Sequence, residues 1–280
     1  MARIKAGDIQ LGCREWGSGS VPVLFIHGNL ANKDWLELAA HWLPSDLRVI
    51  GIDWRGCGDS DRPAPVNDYE NYSFTQHADD MLAALDTLGV ERCHLITHST
   101  GAIIGNRMQL KQPERFGKVL ALNPVSPLKM RFDAQGMGLV RSLHTSREAT
   151  KTVMESPAKQ IFNMPWTIKD GVDHLQSVFT RLMDETTTVG EGVWMGTPVN
   201  LSKEAKSGEL AARLGELVHD TLVVWGEQDQ IIDRRDLEPM VAAMPNARLT
   251  VLPGVGHSMM VEQPQMFAAI AATRFSGVPL

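Results

Sequence analysis

Ser99 stands in Thr97-His98-Ser99-Thr100-Gly101, where a short apolar run, Cys93 to Thr97, gives way to helical spacing from Thr100 to about Gln112. A serine on so tight a strand-to-helix turn is forced out of the sheet, and the unpaired amides at the helix start face any oxyanion formed there. An alcohol becomes a nucleophile beside a base, and a histidine steadied by a carboxylate is one such base. His257 fits that part: it ends Leu252-Pro253-Gly254-Val255-Gly256-His257, where two glycines permit a sharp loop after the last strand. Three acids, Glu227, Asp229 and Asp233, follow the strand Thr221 to Trp225. Glu227 falls in the turn itself and Asp233 begins the next helix as a cap, so Asp229 is the best placed to hold the histidine.

A fourth cluster, His27-Gly28-Asn29-Leu30, follows the apolar run Val21 to Ile26. Gly28 lets the backbone turn so that the Asn29 or Leu30 amide, with Asn29 preferred, and the Thr100 amide point at one spot in front of Ser99. His27 and His98 read as hydrogen-bonded scaffold residues. The combination predicts acyl transfer, with a covalent intermediate on Ser99 and an oxyanion hole at Asn29 and Thr100.

The stretch around Ser99 resembles the nucleophile elbow, Gly-x-Ser-x-Gly, of the α/β-hydrolase superfamily, with Thr97 replacing the first glycine and Gly101 as the second. Gly226-Glu227-Gln228-Asp229 resembles that family's Gly-x-x-Asp stretch, and His27-Gly28 its oxyanion loop. Asp53-Trp54-Arg55-Gly56-Cys57-Gly58-Asp59-Ser60 is similar to its Asp-x-x-Gly-x-Gly-x-Ser loop, which implies no nucleophilic role for Cys57. The order serine, acid, histidine matches the family as well. The resemblance spans Val21 to Asn123 and Thr221 to the C-terminal helix, and implies Ser99 as nucleophile, Asp229 as acid and His257 as base. Relatives that resemble haloalkane dehalogenases and epoxide hydrolases need a carboxylate at the elbow, so Ser99 argues for carbonyl substrates.

The elements that must position these residues follow from hydrophobic periodicity. Two strands, Ala2 to Ala6 and Ile9 to Trp16, flank Gly7-Asp8. Strands at Val21 to Ile26, Arg48 to Asp53, Cys93 to Thr97 and Val119 to Leu122 then alternate with helical segments around Trp35 to Trp42, Ser73 to Leu88 and Thr100 to Gln112. After the strand Thr221 to Trp225 come a helix near Arg235 to Met244, a strand Arg248 to Leu252 and a last helix from Gln263 to about Thr273. This predicts an α/β fold, a mostly parallel doubly wound sheet, with residues 1–123 and 217–280 as the core. Residues 124–216 break the rhythm and read as an inserted helical lid. The lid carries Met137, Met154, Met164, Trp166, Met183, Trp194 and Met195, and Met259 and Met260 follow the histidine. Trp166, Trp194 and Met259 are therefore candidate walls of an apolar, adaptable pocket, with core packing as the competing role.

Lys and Arg total 27 against 33 Asp and Glu, a net charge of −6, with no basic cluster to track phosphates; nucleic acid is not an expected partner. No stretch approaches the roughly 18 apolar residues of a membrane span, and the first residues lack a secretory h-region, so a cytoplasmic protein is expected. Cys13, Cys57 and Cys93 lack CxxC spacing and are read as free thiols. No metal motif and no cofactor-binding turn is present, and the chemistry needs neither. The expected function is hydrolysis of a small to medium hydrophobic carboxylic ester or lactone, by a monomer or homodimer. The same constellation resembles carbon–carbon bond hydrolases of aromatic ring cleavage, thioesterases, hydroxynitrile lyases, perhydrolases and cofactor-free dioxygenases. A ligand receptor that has lost turnover is the reading from another class.

Overall fold

The apolar runs assemble into an eight-stranded sheet among the residues that the computed structural model describes, 2–129, 132–154, 180–182, 184–185 and 187–280. The strands are β1 (Ala2–Ala6), β2 (Ile9–Trp16), β3 (Val21–Ile26), β4 (Leu47–Ile52), β5 (Cys93–His98), β6 (Phe116–Leu122), β7 (Thr221–Gly226) and β8 (Ala247–Leu252). Their order across the sheet is β1-β2-β4-β3-β5-β6-β7-β8. β2 pairs antiparallel with β1 and β4, and every pairing from β4 across to β8 is parallel. The chain winds outward from β3 in one direction to β4 and then crosses back to β5. The carboxyl ends of β3 and β5 therefore flank the crevice where open α/β sheets bind ligands.

Burial on both faces explains why these strands are nearly continuous apolar runs. Along β3, Leu24 and Ile26 enter one core cluster while Val23 and Phe25 enter another on the opposite face, the two-residue period of a strand. The first face is covered by α2 (Phe74–Thr87) and α3 (Gly101–Lys111), and the second by α1 (Glu37–Ala40), α10 (Met259–Glu262) and α11 (Pro264–Phe275). α2 starts at Ser73, whose hydroxyl accepts the Gln76 amide, so its predicted boundaries hold to one residue. The helix expected over Trp35 to Trp42 is instead a 3-10 turn, Lys33–Leu36, followed by the single turn of α1. The Asn32 side chain accepts the Asp34 amide and starts that tighter turn, while Lys33 is drawn into the sheet.

Lys33 is 1% exposed, and its ammonium bonds Asp34 at 2.9 Å, Asp53 at 3.0 Å and Asp59 at 2.7 Å. Asp53 also accepts the backbone amides of Lys33 and Asp59, so the loop after β4 and the turn after β3 share one carboxylate. The surrounding acids hold the Lys33 ammonium charged, with a pKa raised despite burial, the largest single influence and one that acts the other way. Lys33→Met is expected to cost about 3–5 kcal/mol by leaving Asp53 buried and unpaired. Urea denaturation of the two proteins measures the loss, and an unchanged midpoint would contradict it.

Between β6 and β7 the described residues are helical: α4 (Ala134–His144), α5 (Arg147–Met154), α6 (Glu191–Trp194), α7 (Gly196–Ser207) and α8 (Glu209–Ala212). The later part is not a loose cover. Val193, Trp194, Met195 and Leu201 belong to the same buried cluster as Tyr72 and Phe74. Asn200 donates to the carbonyls of Tyr69 at 3.0 Å and Tyr72 at 3.1 Å, and a side chain at Gly192 would overlap the Tyr72 ring. Among the described residues no helix is long and apolar enough to cross a membrane.

Candidate active site

Ser99 links the last residue of β5 to α3 with a φ of +51°, a left-handed conformation that non-glycine residues adopt at a cost of about 1–3 kcal/mol. The surrounding backbone holds it there. The Ser99 amide donates to the Leu122 carbonyl and its own carbonyl accepts from Val125, both at 3.0 Å, so the turn is strapped to the end of β6. A side chain at Gly101 would overlap the carbonyl oxygens of Ile26 and His27, which explains the glycine two residues after the serine. Thr97, which stands where the family pattern has glycine, fits for a reciprocal reason. A methyl on Gly105 would come within 2.8 Å of Thr97 Cγ2, so the small residue has moved from the strand to the facing helix turn.

That exchange has a testable sign. Gly105→Ala alone gains about 1 kcal/mol of helix propensity but incurs overpacking of about 1–3 kcal/mol, and is expected to destabilise. In a Thr97→Ser background the obstructing methyl is gone, and the same substitution is expected to stabilise. Thermal denaturation of the four proteins reads the reversal; equal effects in both backgrounds would remove this account of Thr97.

His257 and Asp229 meet from loops 28 residues apart in sequence, with His257 Nδ1 2.7 Å from Asp229 Oδ2. The other carboxylate oxygen accepts the Ile231 amide at 2.7 Å and the Ile232 amide at 3.0 Å. Asp229 and His257 are buried at 7% and 6% exposure, and Ser99 at 6%. Because a carboxylate only accepts, the Nδ1–H donates to it and the Nε2 lone pair is left for chemistry. Glu227 is exposed and Asp233 caps α9 (Arg234–Ala243) by accepting the Arg235 amide; neither carboxylate is bonded to the imidazole.

The loop after β3 lies directly against the elbow. A side chain on Gly28 would come within 3.0 Å of Ser99 Cβ and 2.7 Å of His98 Nδ1, so only glycine lets the two turns approach. His27 is fully buried, stacks on Trp54 with ring centroids 4.8 Å apart, and accepts the Trp54 amide at Nε2. Its Nδ1–H then donates to the Gly28 carbonyl at 2.8 Å. Burial pushes the His27 pKa down to about 3, which keeps this tautomer neutral. In a trans peptide the C=O and the following N–H point oppositely, so holding the Gly28 carbonyl toward His27 turns the Asn29 amide away from it. Thr100 is the N-cap of α3, where amides lack intrahelical acceptors.

The other candidate residues divide. Trp166 lies outside the described residues. Trp194 is 4% exposed, inside the buried cluster that also holds Tyr72 and Phe74, with its ring centred 5.7 Å from that of His144. Met259 is 1% exposed and packs in the second core cluster with Trp35 and Phe267. Both sit in the core-packing role that the sequence left open. The Cys57 thiol is fully buried, and burial raises its pKa well above the ordinary value, which keeps it protonated.

Three residues without an assigned chemical role in the sequence brace the site. Glu262 accepts the Gly256 amide at 2.8 Å and the Ser258 amide at 2.6 Å, gripping both flanks of His257. Asn123 donates to the Gly256 and His257 carbonyls and accepts the Gly226 amide. His98 Nε2 lies 2.9 Å from the His257 carbonyl. A carboxylate set one helical turn into the apolar Met259-Met260-Val261 run was the available signal for Glu262; nothing local marks the other two bonds.

Comparison with known proteins agrees with this frame. A sequence model of the alpha/beta hydrolase fold family matches residues 21–264. The chain is 25% identical over 276 residues to a 2-hydroxy-6-oxononadienedioate/2-hydroxy-6-oxononatrienedioate hydrolase of Pseudomonas putida, covering 95% of this chain and 92% of that one. It is 36% identical to a fluoroacetate dehalogenase of a Burkholderia species, over 130 residues that make up 46% of this chain and 42% of that protein. An esterase from Exiguobacterium antarcticum shares its fold with a TM-score of 0.77 at 22% identity, covering 97% of each chain. The parallel sheet, the left-handed serine turn and the family match together place this chain in the alpha/beta hydrolase fold family, as a hydrolase.

Proposed function

We propose that the chain is a cofactor-independent serine hydrolase of small to medium hydrophobic carboxylic esters or lactones, acting through an acyl-enzyme on Ser99. The observation that carries this reading is the buried 2.7 Å bond from His257 Nδ1 to Asp229, which leaves Nε2 as a base on the loop beside the strained serine turn. His257 Nε2 takes the Ser99 proton as Oγ bonds to the carbonyl carbon, and the Asn29 and Thr100 amides receive the oxyanion. Collapse breaks the ester bond, and the leaving alkoxide takes the proton from His257; in a lactone it stays tethered to the acyl chain. Water then gives a proton to His257 as it attacks the acyl carbon, and collapse breaks the bond to Ser99 Oγ, which takes that proton back from His257 as the acid leaves.

Residues 124–216 serve in this reading as the cap, over a core of 1–123 and 217–280. Leu128, Phe132, Met137, Val140 and Leu143, half-buried and packed against the core cluster, give this segment the apolar character that suits a hydrophobic substrate. Trp166 belongs to the same segment and is a further candidate for the acyl pocket.

A second reading, hydrolysis of a carbon–carbon bond in a ring-cleavage product, is favoured by the Pseudomonas putida relative, whose match spans 95% of this chain. Incubation with nitrophenyl esters of graded acyl length, a lactone series and a dienoate ring-cleavage product separates the two, with chelator present throughout. Equimolar acid and alcohol, or ring-opened hydroxy acid, supports the first reading. Turnover of the dienoate alone would replace it with the second.

A further inference from the structure

We infer that His98 and Asn123 are positioning residues that fix the general base by its backbone. They donate two hydrogen bonds to the same carbonyl oxygen, that of His257: Asn123 Nδ2 at 2.7 Å and His98 Nε2 at 2.9 Å. This rests on the reading of His257 as the base. The two donors are tied to the nucleophile. His98 immediately precedes Ser99, and Asn123 lies between the two residues, Leu122 and Val125, that bond the Ser99 backbone. Asn123 also accepts the Gly226 amide at 2.8 Å, at the start of the turn that carries Asp229. One side chain thus spans the nucleophile, acid and base segments, and its φ of +42° is the conformation that aims it there.

The tautomer of His98 follows from its partner. A carbonyl accepts only, so Nε2 carries the proton and Nδ1 the bare lone pair. Among the described residues Nδ1 has no hydrogen-bond partner, and it faces Gly28 at a spacing that a side chain there would close to 2.7 Å. A second proton on Nδ1 would find no acceptor, and burial holds the His98 pKa well below the usual imidazole range. The ring is centred 4.9 Å from that of His257 at a tilt of 52°, so a neutral His98 adds no positive charge beside the base. A hydrophobe of similar volume would fill the space without pinning the carbonyl, whereas glutamine keeps a donor near the Nε2 position.

The test compares His98→Leu, His98→Gln and Asn123→Gly with the parent, reading kcat and KM on its best ester and the low-field proton resonance of His257 Nδ1–H. Asn123→Gly removes the amide while tolerating the positive φ. Misplacement of a catalytic group by about 1 Å can cost on the order of 100-fold, so kcat is expected to fall about 10- to 100-fold in His98→Leu and Asn123→Gly, with KM little changed. The resonance should broaden or vanish in both. His98→Gln should keep both the resonance and most of the turnover. Parental kcat and an unaltered resonance in His98→Leu would overturn the inference, as would His98→Gln falling as far as His98→Leu. Loss of the resonance with unchanged turnover would uphold the pinning and instead remove His257 from the role of base.

Discussion

Ser99→Ala is expected to leave a folded protein whose turnover has dropped by on the order of 10^6-fold. The substitution removes one oxygen. The bonds that hold the turn, from the Ser99 amide to Leu122 and from Val125 to the Ser99 carbonyl, are made by the backbone, and alanine tolerates the +51° φ about as well as serine. Stability should therefore change little while the covalent route is lost. The substitution leaves the proposed oxyanion amides of Asn29 and Thr100 in place, so residual catalysis of roughly 10^3- to 10^4-fold over water is expected to survive. Steady-state turnover with matched thermal denaturation makes the measurement, and intact mass after a fluorophosphonate probe provides a substrate-free check. The parent should gain one adduct and Ser99→Ala none. An adduct retained by the folded variant would move the nucleophile elsewhere, and a parent that takes no label while folded would favour a ligand receptor.

Asp229→Asn is expected to lower kcat by about 10^4-fold with KM nearly unchanged. Two backbone amides, of Ile231 and Ile232, point at one oxygen of the Asp229 carboxylate. An asparagine must keep its carbonyl oxygen there, because turning its NH2 toward two donors would leave all of them unsatisfied. Its NH2 then faces His257 Nδ1 and can only donate. The imidazole must accept at Nδ1 and carry its proton on Nε2, the wrong tautomer for taking a proton from serine. Asp229→Asn should therefore fold normally and still bind substrate. A loss smaller than about tenfold would show that His257 is oriented without the carboxylate, and Glu227→Gln and Asp233→Asn, whose carboxylates are not bonded to the imidazole, provide the controls.

Both predictions depend on loops that converge although they are far apart in the chain, and the two levels of information differ in what they carry. Hydrophobic periodicity is local: the side that a residue faces is set by its own neighbours, so β3, β5, β7 and the boundaries of α2 could be read directly. Glycines were legible for the same reason, since Gly28 and Gly101 mark backbone approaches that any side chain would block. The short turn at Lys33 was not, because a buried lysine there is decided by Asp53 and Asp59, which arrive from another strand end. Thr97 departs from the elbow pattern in the sequence, and only the fold sets Gly105 opposite it. Trp194 and Met259 carry the composition of a pocket wall, yet packing against Tyr72 on one face and Trp35 on the other makes them core. The frame of Asn123, His98 and Glu262 is of the same kind: each bonds a backbone group of the base loop, and a backbone amide or carbonyl has no residue identity to leave a trace in the chain. Residue types and their periods thus specify the sheet, the turns and the candidate chemical groups. The bonds that hold those groups in register exist only after strands distant in sequence lie side by side.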